Sequence, residues 1–423
     1  MKALILSASV EFLDQPFLKP LQLSSGLITK ATEARVQVLV RVGEQEATGR
    51  GSIYLSDLWA WPGGLLQREA KEAAMRALCR DLANDLASAC GGEACHPLEL
   101  GLRLHLALEK LGPEMPLLAR AVCASPFDAA IHDAVGLALG VSAFRFYEVP
   151  EPIPSADHWF RSGGTCQAIQ GLLQKPRRQL AAWWLVSARD DLETQVRPAV
   201  AHNGIRSFKI KILGQNNTED ARRTVDVFQA ARRWGLDPIL SIDSNEGNPD
   251  TAAVLDYLDC LRVEDSEAYG ALAYLEQPTA RDISAHPFDW RQVTKRKPVL
   301  LDEGLTSLDL LPLLKDQSWS GLAMKTCKGH SFALVSAAWA HERKLVLALQ
   351  DLTNPGYSAV HSFLFGAHLP TINGIELNSP QYTPAANEPW LPALSGLFRP
   401  KDGVHRLEEI NTPGLGSALK DCS

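Results

Sequence analysis

Five charged residues recur at intervals close to one repeating structural unit: Lys211, Asp243, Glu276, Asp302 and Lys325, separated by 32, 33, 26 and 23 residues. Each stands at or beside the end of a short apolar run, and Lys209 shares the first run with Lys211. Three carboxylates from successive strands suit a hard divalent cation, Mg²⁺ or alternatively Mn²⁺, which leaves coordination sites for substrate oxygens and water. Lysines stand on both sides of the trio. In a half-buried pocket beside a cation a lysine can act as a base near neutral pH. The chemistry this suits is removal of a weakly acidic proton beside a carboxylate, because the resulting dianionic oxygens can be held by a metal.

The elements that must position these residues are short strands alternating with helical stretches. The runs are Ala182–Val186, Phe208–Ile212, Ile239–Ile242, Leu272–Leu275, Val299–Leu301, Gly321–Met324, Leu345–Leu349 and Ile372–Ile375. Eight such runs are the number a closed α/β barrel needs, and barrel strands bring their C-terminal ends to one face. The seventh and eighth then offer Asp351 and Glu376. Upstream, Ala34, Val36, Val38, Val40 and Val42 alternate with polar residues, predicting a half-buried strand in an antiparallel sheet. Met75, Leu78, Leu82 and Leu86 carry a helical period, and Pro116–Gly140 is a second helical stretch. The expected organisation is an α+β capping domain over 1–141 and a crossover over 142–180. A (β/α)7β barrel over 181–380 follows, then a C-terminal segment over 381–423 that returns to the cap.

The motifs Phe208-Lys-Ile-Lys211, Ile242-Asp-Ser-Asn245, Leu275-Glu-Gln-Pro278, Leu301-Asp-Glu303 and Met324-Lys325 resemble the mandelate racemase and muconate lactonizing group of the enolase superfamily. A lysine on each side is more similar to the muconate lactonizing branch. Phe127–Val141 resembles the helix ending that family's capping domain, and Pro413–Gly416 its closing turn. The resemblance implies that Asp243, Glu276 and Asp302 bind the metal while Lys211 and Lys325 face each other across the substrate. It further implies that Lys209 supports Lys211, and that Asn245 and Glu303 are hydrogen-bond partners behind them. Gly304 and Gly329-His330 depart from the family pattern beside the substrate, and Glu376-Leu-Asn378 replaces the Asp-x-Asp of dipeptide epimerases.

Around this set the substrate contacts are open. Asp351, Glu376, Asn378, His330 and Trp59 are candidates, but His330 reads more readily as a solvated loop residue, and the turn begun at Asn354-Pro355 explains Asp351 nearly as well. The segment Tyr54–Trp61 is an exposed turn or a lid. Alone, a Lys-x-Lys is a solvated strand edge and an aspartate after a strand is a helix cap; the order of the whole set carries the reading.

With 46% hydrophobic and 22% charged residues, and a net charge of -7 without a long basic run, the composition is that of a globular protein and points away from nucleic acid. Eight scattered cysteines without Cys-x-x-Cys read as reduced thiols, and no segment reads as a membrane span. The expectation is a cytoplasmic homo-oligomer acting on a small-molecule carboxylate, as a racemase or epimerase. The alternatives are an acid-sugar dehydratase, a cycloisomerase, an o-succinylbenzoate-synthase-like lyase, or a catalytically silent ligand-binding barrel.

Overall fold

The alternating residues Ala34, Val36, Val38 and Val40 are all buried, and they set one face of a strand longer than its period suggested. The computed structural model describes the chain except residues 24, 25, 162, 351, 352 and 421–423. In it β2 (Gly26–Val42) lies between β1 (Ala3–Leu23) and β3 (Gln45–Leu55) in one antiparallel sheet. The β1–β2 hairpin shifts register between Pro16 and Leu21, where proline removes a ladder donor. Beyond that point the hairpin runs out over the barrel mouth.

Four helices follow: α1 (Asp57–Ala60), α2 (Arg68–Ala89), α3 (Pro97–Ala107) and α4 (Leu117–Leu139). The heptad-like apolar residues of α2 are buried as their spacing requires. α4 is apolar nearly all round because it packs on the sheet on one side and on barrel elements on the other. Contrary to the expectation of no span-like segment, α4 is long and apolar enough to cross a membrane by length and composition, yet 83% of that window is buried inside the protein. Its contact with β3 is backbone to backbone. A Cβ on Gly49 would stand 2.2 Å from the Ala130 carbonyl oxygen, and one on Gly51 2.1 Å from that of Pro126.

The barrel strands are β4 (Gln179–Val186), β5 (Ser207–Lys211), β6 (Ile239–Asp243), β7 (Leu272–Glu276), β8 (Val299–Leu301), β9 (Gly321–Met324), β10 (Val346–Leu349) and β11 (Ile375–Glu376). They pair in parallel in chain order, with β11 beside β4, and a helix separates each from the next, giving a (β/α)7β barrel. Between β10 and β11 the ring is joined by the Ile372 amide donating to Leu347 at 2.8 Å. There too the Asn373 side chain bonds both the amide and carbonyl of Leu349 at 2.9 Å. The last strand begins later than the apolar run because Asn373 takes the place of ladder groups and Gly374 turns at φ 76° against the Ala181 backbone. Trp183, Tyr274, Leu300, Ala323 and Ala348 fill the interior beneath the mouth.

The crossover over 142–180 holds two short 3₁₀ turns and a helix, Gly164–Leu172, packed on the barrel helix His330–Glu342. After the barrel, β12 (Val404–Arg406) runs antiparallel to the start of β4. The amides of Leu415 and Ser417 then donate to Asp133 Oδ1 of α4, whose Oδ2 accepts from the Arg50 amide.

Candidate active site

Lys209 and Lys211 are alternate residues of β5, so both project from one face of the strand toward the barrel axis. In register beside them come Asp243 on β6 and Glu276 on β7, and Asp302 and Lys325 follow β8 and β9 directly. Strand ladders therefore turn sequence-distant residues into one ring. Lys209, only 2% exposed, stands 3.0 Å from Asp243, 2.8 Å from Glu276 and 3.1 Å from Glu376. Lys211 donates to Asp243 and, at 2.7 Å, to Asn245 Oδ1. Lys325 lies 2.7 Å from Asp302 and 3.9 Å from Glu276.

Burial and charge oppose each other here. Burial alone would raise both aspartates, but Lys211 and Lys209 pull Asp243 down to about 2, and Lys325 and Lys328 hold Asp302 well below the carboxylate range. Glu276 goes the other way: burial, reinforced by the charge of Asp243, pushes it up despite Lys209. Burial likewise lifts Glu303 to about 7, with the charges of Asp302 and Asp243 adding to it. Burial would lower Lys209 and Lys325, but their carboxylate partners keep both above the usual lysine value.

A second layer fixes this ring. Gln277, at φ 33°, accepts the amides of Asp302 and Gly304 on its side-chain oxygen at 3.0 and 3.1 Å, which locks the end of β8 to that of β7. Asn245 and Glu246 also have positive φ, and Glu246 receives the guanidinium of Arg281. Such strained non-glycine turns concentrate where a site must be held in one shape. Arg281 also donates to the Trp59 carbonyl at 3.1 Å, and the Trp59 indole N–H donates to Glu303 at 2.7 Å. Trp59 is thus buried against the barrel, so the segment expected to be a turn or a lid lies down on the mouth.

A cavity of about 50 Å³ remains above the lysines. Lys209, Lys211, Lys325 and Glu376 form its floor, Phe17, Leu21 and Ile28 of the hairpin one wall, and Tyr54, Leu55 and Trp59 another. Asn378 also lines it and donates to Glu376 at 2.7 Å.

Two candidates fall elsewhere. Asp351 lies outside the described residues. His330 is not at the mouth: Gly329, at φ 106°, turns the chain so that the imidazole is fully buried, 2.9 Å from His361 and packed on His132. A loop histidine five residues after Lys325 gives no hint in sequence of which way it turns.

Two further residues, Lys328 and Gln350, join the ring. Lys328, 4% exposed, stands 3.2 Å from Asp302 and donates to its carbonyl. Gln350, the polar residue directly after β10, donates to Glu276 and to the Tyr274 hydroxyl. The Lys-x-x-Lys spacing after β9 and the position of Gln350 one residue before Asp351 were the available signals.

The enolase C-terminal domain-like family matches residues 191–422, more than half of the chain. The chain belongs to this family. It falls within the mandelate racemase and muconate lactonizing group of the enolase superfamily. Among solved structures it is similar to the muconate lactonizing enzyme of Pseudomonas putida, at 20% identity over 98% of this chain and 96% of that one, with a TM-score of 0.65. It is also similar to a dipeptide epimerase of Enterococcus faecalis complexed with Mg and L-Leu-L-Tyr, at 16% identity, 98% and 99% coverage and a TM-score of 0.65. An N-succinyl Arg/Lys racemase of Bacillus cereus gives 17% identity, 100% and 98% coverage and a TM-score of 0.64. At these identities the likeness establishes the shared fold. No curated protein matches the chain significantly.

Proposed function

We propose that this enolase-superfamily chain is an isomerase that removes and returns the proton beside a substrate carboxylate, with Mg²⁺ as cofactor. The observation that carries the reading is the placement of Lys211 and Lys325 on the second and sixth of eight barrel strands, half a turn apart, with Asp243, Glu276 and Asp302 on the strands between them. A proton taken by one lysine can be redelivered by the other from the opposite face, which is what racemisation or epimerisation requires. Structural relatives described as epimerases and a racemase support the same class.

The residues fit a hard divalent ion by donor type: three buried carboxylates, with both Asp302 oxygens lacking a well-aligned hydrogen bond. Among the described residues no three acidic, histidine or cysteine side chains stand at mutual ligand spacing; here each carboxylate faces a lysine instead. Asp243, Glu276 and Asp302 would hold the ion, which supplies charge stabilisation for the two oxygens of the deprotonated acid. Lys209, tied to Glu276 and Glu376, orients the floor, while Asn245 positions the Lys211 ammonium. Trp59 and the hairpin keep water from the reacting carbon.

Deuterium uptake in D₂O with Mg²⁺, read by mass, tests this with pooled amino acids, dipeptides, hydroxy acids and sugar acids. Label entering one compound, and lost with Lys211→Ala or chelator, is the expected result. No label in any pool would reject proton abstraction and leave a ligand-binding barrel.

A further inference from the structure

We infer that the substrate carries a second anionic group at the end far from the reacting carboxylate, received by Lys30 at the cavity mouth. This rests on the reading of the lysine floor as the seat of the first carboxylate.

The charges lining the cavity are unequal in what they already hold. Asp57 is paired with Arg68 at 3.1 Å, and Glu376 with Lys209 at 3.1 Å. Among the described residues, then, neither carboxylate lining the cavity is left without a cation. A substrate ammonium entering the mouth finds no uncommitted anion among the described residues, and its desolvation would go unrepaid there. Of the cations, Lys209, Lys211 and Lys325 each face carboxylates of the floor, and Arg68 faces Asp57. Lys30 differs: it lies on β2, lines the cavity, is exposed, and its ammonium makes no hydrogen bond or ion pair among the described residues. The acids that feel its charge, Asp14 and Glu72, are themselves engaged by Arg76 and Thr32.

Between Lys30 and the floor the wall is apolar, from Phe17, Leu21 and Ile28. The geometry thus orders three chemistries along the cavity: a cationic floor, an apolar middle and, among the described residues, one unengaged cation at the rim. An acid with an apolar spacer and a terminal carboxylate, sulfonate or phosphate matches that order, whereas a dipeptide with a free amino terminus places the wrong charge at the rim. This agrees with the loss of the Asp-x-Asp pair at Glu376-Leu-Asn378.

Calorimetric titration of the full chain in Mg²⁺ tests it with pairs of N-acyl amino acids identical except at the far end: N-succinyl, ending in a carboxylate, and N-butyryl, ending in a methyl, on glycine, leucine and phenylalanine. The expected result is tighter binding of a succinyl member by about fivefold, the size of a favourable partly exposed ion pair. That preference should shrink to within twofold in Lys30→Met and invert in Lys30→Glu, with unchanged melting temperature because the side chain is exposed. Equal binding of the two members by the natural chain, or a preference that survives Lys30→Met, would overturn this inference alone. Binding of neither member of any pair would overturn the carboxylate-binding reading of the floor, and this inference with it.

Discussion

The Lys325 ammonium stands 4.5 Å from the centre of the Trp59 ring, so a side chain from the segment before α2 roofs a lysine of the barrel floor. The same indole donates to Glu303, the residue next to Asp302. One tryptophan therefore reports to both sides of the acidic centre: its ring face to the lysine, its N–H to the glutamate.

Replacing Trp59 by Phe keeps a ring over Lys325 but removes the shorter of two hydrogen bonds to the buried Glu303, leaving only that from the Asn245 amide. The expected cost is about 1–3 kcal/mol of stability. A double-mutant cycle with Glu303→Leu, followed by chemical unfolding, should show that the two losses are not additive.

Lys209→Met should be far more damaging than Lys211→Met. Lys209 holds three buried carboxylates, and leaving such charges unpaired costs roughly 3–5 kcal/mol. Lys211 is the more accessible of the two and shares Asp243 with Lys209. Comparing soluble yield and melting temperature of the two variants checks the ranking; equal damage would contradict the geometry.

Acid should loosen the seam between α4 and the barrel helices. Burial holds His330 well below its ordinary value and His361 at about 3, so both stay neutral in the folded chain where the unfolded chain binds protons. Stability from each is fully present above about pH 6.5 and falls by about 1.4 kcal/mol per pH unit below it. Asp128, kept low against its burial by His132 and Ser331, adds a loss only in a lower window, as pH falls through the carboxylate range. Melting temperature between pH 7.5 and 5 should fall steeply in the natural chain and less so in His361→Phe.

Gly51→Ala should destabilise by more than an ordinary core change, since the new methyl would meet the Pro126 carbonyl oxygen of α4. Overpacking of this kind costs about 1–3 kcal/mol. Thermal unfolding reads it, with Gly171→Ala as a control where a Cβ meets nothing within 4 Å and the backbone is not left-handed.

The barrel and its acidic ring were legible because each strand declares itself by an apolar run and each site residue sits at a fixed place, the strand end. Lys209, Lys211, Asp243, Glu276, Asp302 and Lys325 all meet in the structure for that reason. What escaped depends on direction rather than on residue type. His330 and Lys328 lie two residues apart after β9, yet one faces α4 and the other Asp302, and only the φ of Gly329 decides this. The hairpin was illegible for a different reason: Pro16 and Pro20 obscure the period of β1 where it crosses the mouth. Lys30 was passed over because nothing in the sequence says that β2 reaches the cavity.

The antiparallel pairing of β12 with β4, together with the Leu415 and Ser417 amides on Asp133, sets an order of events during synthesis. Chains fold as units from the amino-terminal side while the ribosome is still adding residues. Here the sheet and α4 emerge first and the Arg50 amide can already donate to Asp133 Oδ2, but Asp133 Oδ1 waits for donors translated after the whole barrel. The first strand of the barrel waits in the same way for its flank to be covered. The strap along the first barrel strand is therefore stitched in only after the barrel has been translated, and the cap is fastened to these partners only once the ring of lysines and carboxylates beneath it has been made.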